Sequence, residues 1–306
     1  MLESVSGVYE HAFTAMGTVI AIQVVGHDAD SRECLERNDA VARAAGWFQH
    51  IHDACTRFDE QSELMRLSAR AGDPVPVSTL LLEAVRFSLA VAEESGGAFD
   101  PTVGRGMQAL GYDREYRTGR RMHSDMASEG AAPPSYRDVH VDSEAGTITL
   151  ERPLVLDLGA VAKGLAIDMA ARELLEFENF AVDAGGDLYL GGHNPAGEAW
   201  KVGIRHPRDE SLLVRTLRVS NTAVCTSGDY ERGRHIIDPR SGVTAESLAS
   251  VTVLAPSAMV ADALATAAFV LGADEGAAFL ERQGVGGLLV TPDLVQHMTS
   301  GMPSEN

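Results

Sequence analysis

Apolar residues recur with two different periods along the first half of this chain, and each period predicts a different element. Alternating apolar residues on both sides of a Met-Gly pair predict two strands within residues 8–26. Helical spacing of apolar residues predicts an amphipathic helix over residues 31–58 and a second over residues 78–97, which starts after the N-cap Ser78 and ends at a glycine pair. Residues 114–137 are polar and rich in arginine, which predicts an exposed insertion or mobile loop.

The second half of the chain combines many short strands with two long apolar helices. A short apolar strand at 153–156, a turn at 157–159 and a helix that runs to Leu175 predict a central strand–turn–helix unit. A helix over residues 258–271 is capped by serine, stopped by glycine and apolar on nearly every side, which predicts burial. Further strands are predicted at 139–141, 148–150, 180–182, 188–190, 200–205, 213–219, 223–226, 251–254, 287–291 and 295–298, with a helix at 274–283. Frequent hairpins without strict strand–helix alternation favour an α+β fold with a largely antiparallel sheet.

Length, charge and cysteine spacing narrow the class of protein. A chain of 306 residues is long enough for one large domain or two ordinary ones. Its net charge of −19 argues against nucleic-acid binding, and an anionic substrate would need a cation or a local basic patch. The three cysteines show neither CxxC nor zinc-ligand spacing, and no apolar run resembles a signal peptide or reaches transmembrane length. We therefore expect a cytoplasmic protein without membrane insertion.

The central unit at 153–175 is a candidate anion site. A tight glycine turn that leads into a helix presents free N–H groups and the positive end of the helix dipole, and Lys163 in the first turns adds a full charge. A phosphate-bearing ligand fits this arrangement, but an ordinary strand–helix unit with a solvated lysine explains the same pattern. Neither the GxxxxGK[ST] nor the GxGxxG pattern is present.

The helix at 258–271 carries a candidate metal site. Asp262 and Thr266 are four residues apart and therefore lie on the same face. Because the rest of the helix is apolar, a buried carboxylate there needs a partner. Carboxylate and hydroxyl oxygens are ligands that Mg²⁺ accepts, usually together with substrate phosphates. A satisfied core aspartate remains the alternative, as does a threonine bonded back to the helix carbonyls.

The segment at 226–242 offers hydroxyls, basic residues and one histidine in a short stretch. His235 is a candidate for proton transfer near neutral pH, and a core histidine is the alternative. A hydrolase triad of Ser227, His235 and Asp238 is disfavoured, because no GxSxG motif is present and the three residues lie within a dozen positions. The glycine-rich hairpin 183–187 allows close approach of a ligand, although a tight turn explains it equally well.

Taken together, these segments form an ordered set of motifs that spans nearly the whole chain. The set comprises MGT (16–18), FDPTVG (99–104), DLGAVAKG (157–164), DAGGD (183–187), TSGDYER (226–232), HIIDPRSG (235–242) and ADALATA (261–267). In order and spacing it resembles the FAD:protein FMN transferases, the ApbE-like proteins. The resemblance implies an α+β domain of the T-fold type that binds FAD and Mg²⁺, transfers FMN to a Thr or Ser hydroxyl of an acceptor flavoprotein, and releases AMP.

The resemblance also implies roles for individual residues. The metal ligands would be the side chains of Asp262 and Thr266 and the backbone carbonyl of Ala160, and His235 would assist catalysis. The residues assigned to FAD binding are Met16, Asp100, Lys163, Asp183, Asp187, Thr226, Ser227 and Asp238. Two positions depart from the family pattern: Arg105 stands where proline is common, and Phe58 stands where the family has a tyrosine near its SxYD motif, so the flavin's surroundings could differ in detail.

The prediction for the whole chain is a single transferase domain over residues 8–300. Two other functions use the same site. A Mg²⁺-dependent FAD pyrophosphatase would give FMN and AMP with water in place of the acceptor, and a non-catalytic flavin-binding protein would not turn FAD over. The Asp262 and Thr266 pair argues against the last of these, and the sequence does not identify the acceptor.

Overall fold

An antiparallel sheet of eight strands forms the centre of the fold in the computed structural model, which describes residues 7–26, 31–112, 133–230 and 236–303. The helices in these ranges are α1 (Ser31–Cys55), α2 (Glu63–Ser68), α3 (Thr79–Glu94), α4 (Gly104–Ala109), α5 (Gly159–Leu174), α6 (Ala258–Leu271) and α7 (Ala273–Arg282). The strands are β1 (Gly7–Ala15), β2 (Thr18–Gly26), β3 (Val75–Pro76), β4 (Val139–Asp142), β5 (Thr147–Leu150), β6 (Phe180–Ala184), β7 (Asp187–Gly191), β8 (Trp200–His206), β9 (Asp209–Val219), β10 (Thr222–Gly228), β11 (Ile237–Asp238), β12 (Val243–Thr244), β13 (Ser250–Ala255), β14 (Gly286–Val290) and β15 (Gln296–Met298).

The α+β prediction is confirmed, since every strand pair within the described ranges is antiparallel. The large sheet has the order β1-β2-β6-β7-β10-β13-β14-β15, and smaller sheets pair β3-β5-β4, β8-β9 and β11-β12. The single domain over residues 8–300 stays a prediction. Within the described ranges, no helix combines the length and the apolarity that a membrane span requires.

Two tight turns meet at one end of the large sheet. The β1–β2 and β6–β7 turns are neighbours because β2 pairs with β6, with Ile20 opposite Ala184. Gly185 in the β6–β7 turn has a φ of +68°, and a Cβ there would lie 2.1 Å from Thr18 Oγ1. Only glycine therefore lets these two turns approach each other. The C-terminal end of β10 lies at the same end of the sheet, because β10 runs antiparallel to β7.

The two faces of the sheet pack against different layers because side chains alternate along each strand. On one face, Ile22 and Cys225 belong to the main core, which also contains α1, α5 and α6. On the other face, Val25 and Val224 pack with Trp200 in a smaller cluster under the β8–β9 hairpin. Within the helical layer, α5 lies in contact with both α1 and α6. Helix α5 is thus held between α1 and α6, and α6 also packs against β10 and β13.

Helices α5 and α6 approach each other very closely at the start of α6. A Cβ on Gly164 would lie 2.5 Å from the carbonyl oxygen of Ala258 and 2.5 Å from the Cα of Met259. One turn further along α5, the Asp168 carboxylate accepts hydrogen bonds from the Ser257 hydroxyl (2.6 Å) and from the N–H groups of Ala258 (2.7 Å) and Met259 (3.0 Å). This contact fixes where the N-terminus of α6 sits on α5.

Two sequence predictions need correction. The apolar run at 153–156 is not a strand: Leu154, Val155 and Leu156 are buried as irregular chain, because a short apolar run reports burial and not a particular element. The predicted loop at 114–137 falls mostly on residues 113–132, which lie outside the described ranges. Its last residues belong to the core, since Tyr136 is buried and its hydroxyl donates to Glu93 (2.8 Å).

Candidate functional site

A cleft of about 760 Å³ opens where the two tight turns and the end of β10 meet the helical layer. Its walls come from the β1–β2 turn, the end of α1, the segment before and within α4, the N-terminal turns of α5, the start of β7, the end of β10, β11 and α6. Each contribution is an element terminus or turn, apart from α6, which presents the middle of one face. Segments distant in sequence are therefore brought to a single cavity.

Nine of the residues predicted for the site line this cleft, namely Met16, Asp100, Ala160, Lys163, Asp187, Thr226, Ser227, Asp262 and Thr266. Two others, Asp183 and Asp238, do not line it. His235 lies outside the described residues, so its role stays a prediction. The family motifs at both ends of the chain thus contribute to the same cavity.

A partly buried lysine joins two carboxylates that line the cleft. The ammonium of Lys163 contacts Asp187, and its Nζ lies 3.0 Å from Asp262 Oδ2. Asp187 and Asp262 are both buried, so each carboxylate needs a positive or hydrogen-bonding partner, and Lys163 supplies one to each. Asp262 therefore has a charged partner and also faces the cleft. The two alternatives from the sequence, a core aspartate with a satisfied carboxylate and a metal ligand, are thus not exclusive.

Hydroxyl-bearing residues of β10 and α6 line the same cleft. Thr226 on β10 lies beyond Val224, the last residue of β10 that pairs with β7. Its N–H donates instead to the side chain of Asp187 at the start of β7 (2.9 Å to Oδ1), so this carboxylate replaces a strand partner. The hydroxyls of Ser227 and Thr266 are hydrogen-bonded with their oxygens 3.2 Å apart. The Thr226 hydroxyl pairs with Thr252 on the neighbouring strand (2.8 Å). Thr266 thus points toward β10 and the cleft.

The donor set at this position fits a hard divalent cation. Asp262 offers a carboxylate, Thr266 a hydroxyl and Ala160 a backbone carbonyl, and all three residues line the cleft. Within the described part of the chain there is no group of three or more His, Cys, Asp or Glu side chains suited to a metal. An oxygen-only set with a single carboxylate matches Mg²⁺, which keeps several coordination positions for water and substrate phosphates, better than it matches zinc.

Two of the aspartates assigned to FAD make contacts that shape the backbone. Asp100 accepts from the N–H groups of Thr102 (2.8 Å) and Tyr136 (2.9 Å), and Asp183 accepts from Gly186 N–H (2.8 Å) in the β6–β7 turn. Burial raises the pKa of Asp100 and of Asp183, although these hydrogen bonds act in the opposite direction. Their role in FAD binding stays a prediction.

Asp238 is paired within its own turn. It forms an ion pair with Arg240, with Nε and Oδ1 2.9 Å apart. Burial acts to raise the pKa of Asp238, but the hydrogen bonds from Arg240 outweigh this effect and the pKa is lowered. Since its carboxylate is held by Arg240 and does not line the cleft, the structure gives no support to a triad with Ser227.

An ion pair that could not be predicted from the sequence connects the segment after α1 to the segment before α5. The buried Arg57 donates to Asp157 Oδ2 (2.7 Å) and to the carbonyl oxygen of Tyr112 (2.8 Å), and its guanidinium lies 4.3 Å from the centre of the Phe58 ring. Asp157 in turn accepts from Gly159 N–H (2.8 Å), the first residue of α5. The only signal in the sequence is a charged residue between the apolar positions Cys55 and Phe58.

The β1–β2 turn holds Met16 in an unusual conformation at the rim of the cleft. Met16 has a φ of +49° and Gly17 a φ of +78°, as a two-residue hairpin turn with both angles positive requires. Glycine or asparagine is the usual residue in this region, so a methionine there carries local strain. A strained residue that lines a cavity suggests a side chain retained for ligand contact.

Asp168 provides a first test of how α6 is positioned. Asp168→Ala removes the acceptor of three hydrogen bonds at the N-terminus of α6, so we expect a loss of about 1–3 kcal/mol in the free energy of unfolding. Burial raises the pKa of this carboxyl group, opposed by those same hydrogen bonds. Urea unfolding measures the loss, and Asp168→Asn, which keeps one acceptor oxygen, is the matched control with a smaller effect. Equal stability of Asp168→Ala and the parent protein would contradict this role.

Comparison with known proteins adds the family context. A family model described as the ApbE family matches residues 16–289. The FAD:protein FMN transferase of Vibrio cholerae is 30% identical over 90% of this chain and 85% of its own length. That of Treponema pallidum is 31% identical over 96% of this chain and 87% of its own length.

Solved structures agree along almost the full chain. The flavin transferase ApbE from Vibrio cholerae superposes with a TM-score of 0.82 at 26% identity, covering 97% of this chain and 98% of that one. The ApbE protein from Thermotoga maritima gives a TM-score of 0.81 at 27% identity, covering 96% of this chain and 97% of that one. The overall arrangement of sheets and helices is therefore shared with these proteins.

Proposed function

The chain belongs to the ApbE family and is a flavin transferase, and we propose that it transfers FMN from FAD to a Thr or Ser hydroxyl of an acceptor flavoprotein, releases AMP, and depends on Mg²⁺. The observation that carries this proposal is that Ala160, Asp262 and Thr266, which offer oxygen donors, line one cleft together with Lys163, whose ammonium lies beside Asp262. A flavin dinucleotide needs cationic groups of this kind because it presents two adjacent phosphates.

The cleft has the composition that this substrate requires. Its apolar wall includes Phe58, Phe99, Met107 and Ile236, which suit the flat faces of an aromatic ring. Burial raises the pKa of Cys55, also in this wall, to about 12, so its thiol stays neutral and acts as a small apolar group. The N-terminal turns of α5 and Lys163 favour phosphate at the polar end of the cleft.

We assign the metal to Asp262, Thr266 and the Ala160 carbonyl. When bound there, Mg²⁺ would neutralise part of the negative charge of the diphosphate, which a chain of net charge −19 otherwise repels. The chain's own residues orient the donors: Asp168 fixes the start of α6, and the Arg57–Asp157 pair fixes the start of α5 next to Ala160. Positioning and electrostatics of this kind supply most of the catalysis in phosphoryl transfer.

Proton transfer is assigned to His235. In the proposed reaction the acceptor hydroxyl loses its proton to His235, its oxygen forms a bond to the phosphorus on the FMN side, and the bond from that phosphorus to the bridging oxygen breaks. AMP leaves with the electrons of the broken bond. Histidine suits this step because its ordinary pKa lies near neutral pH.

The test of the proposed function is a direct assay of flavin attachment. Purified protein is incubated with FAD, Mg²⁺ and a candidate acceptor flavoprotein, and mass spectrometry of the acceptor measures a covalent FMN adduct. We expect the adduct only with FAD and Mg²⁺ present, and AMP in equal amount. An acceptor in which the modified Thr or Ser is changed to Ala is the matched control.

The same assay without an acceptor separates the alternative activity. Release of free FMN and AMP at the same rate, with or without acceptor, would instead identify an FAD pyrophosphatase. FAD that binds and remains intact with every acceptor offered would contradict both activities and leave a flavin-binding protein.

A further inference from the structure

Lys163 occupies the position between the two carboxylates that an added cation would otherwise neutralise. Its ammonium contacts Asp187 and lies 3.0 Å from Asp262 Oδ2, and the side chains of Lys163, Asp187 and Asp262 are only 16%, 7% and 8% exposed. One ammonium and two carboxylates leave a net charge of −1 in this buried cluster. Without Lys163, two carboxylates would face each other with little water to screen them, which is unfavourable.

The carboxylate of Asp262 would therefore have two cationic partners, the ammonium of Lys163 and the proposed metal ion. It is the only charged ligand in the proposed metal set, and it already carries an ammonium partner. A divalent cation and an ammonium bound to one carboxylate repel each other strongly in a buried site. Because Lys163 also contacts Asp187, its ammonium can leave Asp262 and still be paired with a carboxylate.

We infer that Lys163 is the counter-ion of the metal-free site and that it leaves Asp262, while remaining paired with Asp187, when Mg²⁺ binds. This inference rests on the proposed function and deepens it. Lys163 is a positioning residue in this scheme: it keeps the empty site folded, and metal binding frees its ammonium to face the cleft, where a substrate phosphate would lie. Metal loading and phosphate binding are thereby coupled through one side chain.

The lysine content of the chain makes a direct test possible. Lys163 and Lys201 are the only two lysines in the sequence, and Lys201 is exposed on β8. Protein labelled with ¹³C and ¹⁵N in lysine therefore gives two side-chain NMR signals, one from the site and one from the surface. On titration of the FAD-free protein with Mg²⁺, we expect the Lys163 ε-methylene and ammonium signals to shift with the same saturation curve that calorimetry gives for Mg²⁺. The Lys201 signals should not move.

A substitution at Lys163 measures the competition between its ammonium and Mg²⁺ for Asp262. Lys163→Met removes the ammonium but keeps much of the volume, so we expect Mg²⁺ to bind the FAD-free variant more tightly, by about tenfold or more. In EDTA the variant should melt below the parent protein, and saturating Mg²⁺ should narrow that difference. Lys201→Met is the matched control and should leave both Mg²⁺ affinity and melting temperature unchanged.

The outcomes distinguish this inference from the function on which it rests. Unchanged Lys163 signals at saturating Mg²⁺, or equal or weaker Mg²⁺ binding by Lys163→Met, would overturn the inference and leave the transferase assay unaffected. A parent protein that binds no Mg²⁺ yet forms the FMN adduct would overturn the inference and the metal dependence together. If Lys163→Met does not fold, the NMR titration of the parent protein still decides, because it needs no variant.

Discussion

Asp262→Ala is expected to reduce FMN transfer by about 10³-fold or more while leaving the protein folded. The change removes the only carboxylate in the proposed metal set, and losses of this order follow when charge stabilisation is withdrawn from a reacting group. The fold should tolerate the change because Lys163 keeps its contact with Asp187, which leaves a neutral buried pair in place of a cluster with net negative charge. Melting temperature in EDTA should therefore stay the same or rise slightly.

Thr266→Ala should have a smaller effect of the same kind. It removes a neutral ligand and the hydrogen bond to Ser227, so we expect roughly a tenfold loss of transfer activity and a higher Mg²⁺ concentration for half-maximal rate. Excess Mg²⁺ should restore part of the Thr266→Ala activity, whereas it should not restore Asp262→Ala. This difference in rescue distinguishes a charged ligand from a neutral one.

Melting temperature and turnover are to be measured on the same Asp262→Ala sample. Asp274→Ala, at a side chain that is 98% exposed in the first turn of α7, is the control for loss of one negative charge. It should leave turnover unchanged and lower the melting temperature only slightly, since its contact with His297 (4.0 Å) is at the surface. A purely structural aspartate would behave differently: its removal would cost about 1–3 kcal/mol of stability, and activity would be lost in step with folding. A large fall in melting temperature for Asp262→Ala in EDTA, together with a parent protein whose melting temperature Mg²⁺ never changes, would contradict the metal assignment.

The sequence predicts the site best where local signals coincide with helix geometry. Helix α6 begins and ends as predicted, because Ser257 caps its N-terminus and Gly272 follows its last residue. The spacing of four residues between Asp262 and Thr266 places both on the face of α6 that lines the cleft. The N-terminus of α5 is also correct, although the preceding run is irregular chain and not a strand.

The contacts that the sequence does not reveal are those between distant segments. Lys163 and Asp262 are 99 residues apart, and Arg57 and Asp157 are 100 residues apart. No periodicity or motif spacing reports such a pair, because each partner looks like an ordinary charged residue in its own segment. Asp168 is a further example: its position on α5 shows neither that it caps α6 nor that it helps to place the metal ligands.

A single methyl group at Gly164 is expected to separate α5 from α6 and to destabilise the protein by about 1–3 kcal/mol. The new Cβ would lie 2.5 Å from the Ala258 carbonyl oxygen, which is backbone and has no alternative rotamer, so one helix must shift. Lys163 precedes this glycine, and Asp262 lies one turn into α6. The shift should therefore also widen the gap between their charged groups and weaken Mg²⁺ binding.

Gly46→Ala in α1 is the matched control, since it is the same substitution in another helix interior and no atom lies within 4 Å of its new Cβ. Because the new Cβ at Gly46 meets no clash, only the gain in helix propensity acts, and we expect the free energy of unfolding to rise by about 0.5–1 kcal/mol. Urea unfolding of both variants, with calorimetry of Mg²⁺ binding, measures the difference. The same propensity gain applies to Gly164→Ala, so any destabilisation is a lower bound on the cost of the clash. If both variants were stabilised equally, the close contact that brings Lys163 to Asp262 would not exist in solution, and the geometry of the metal site would have to be revised with it.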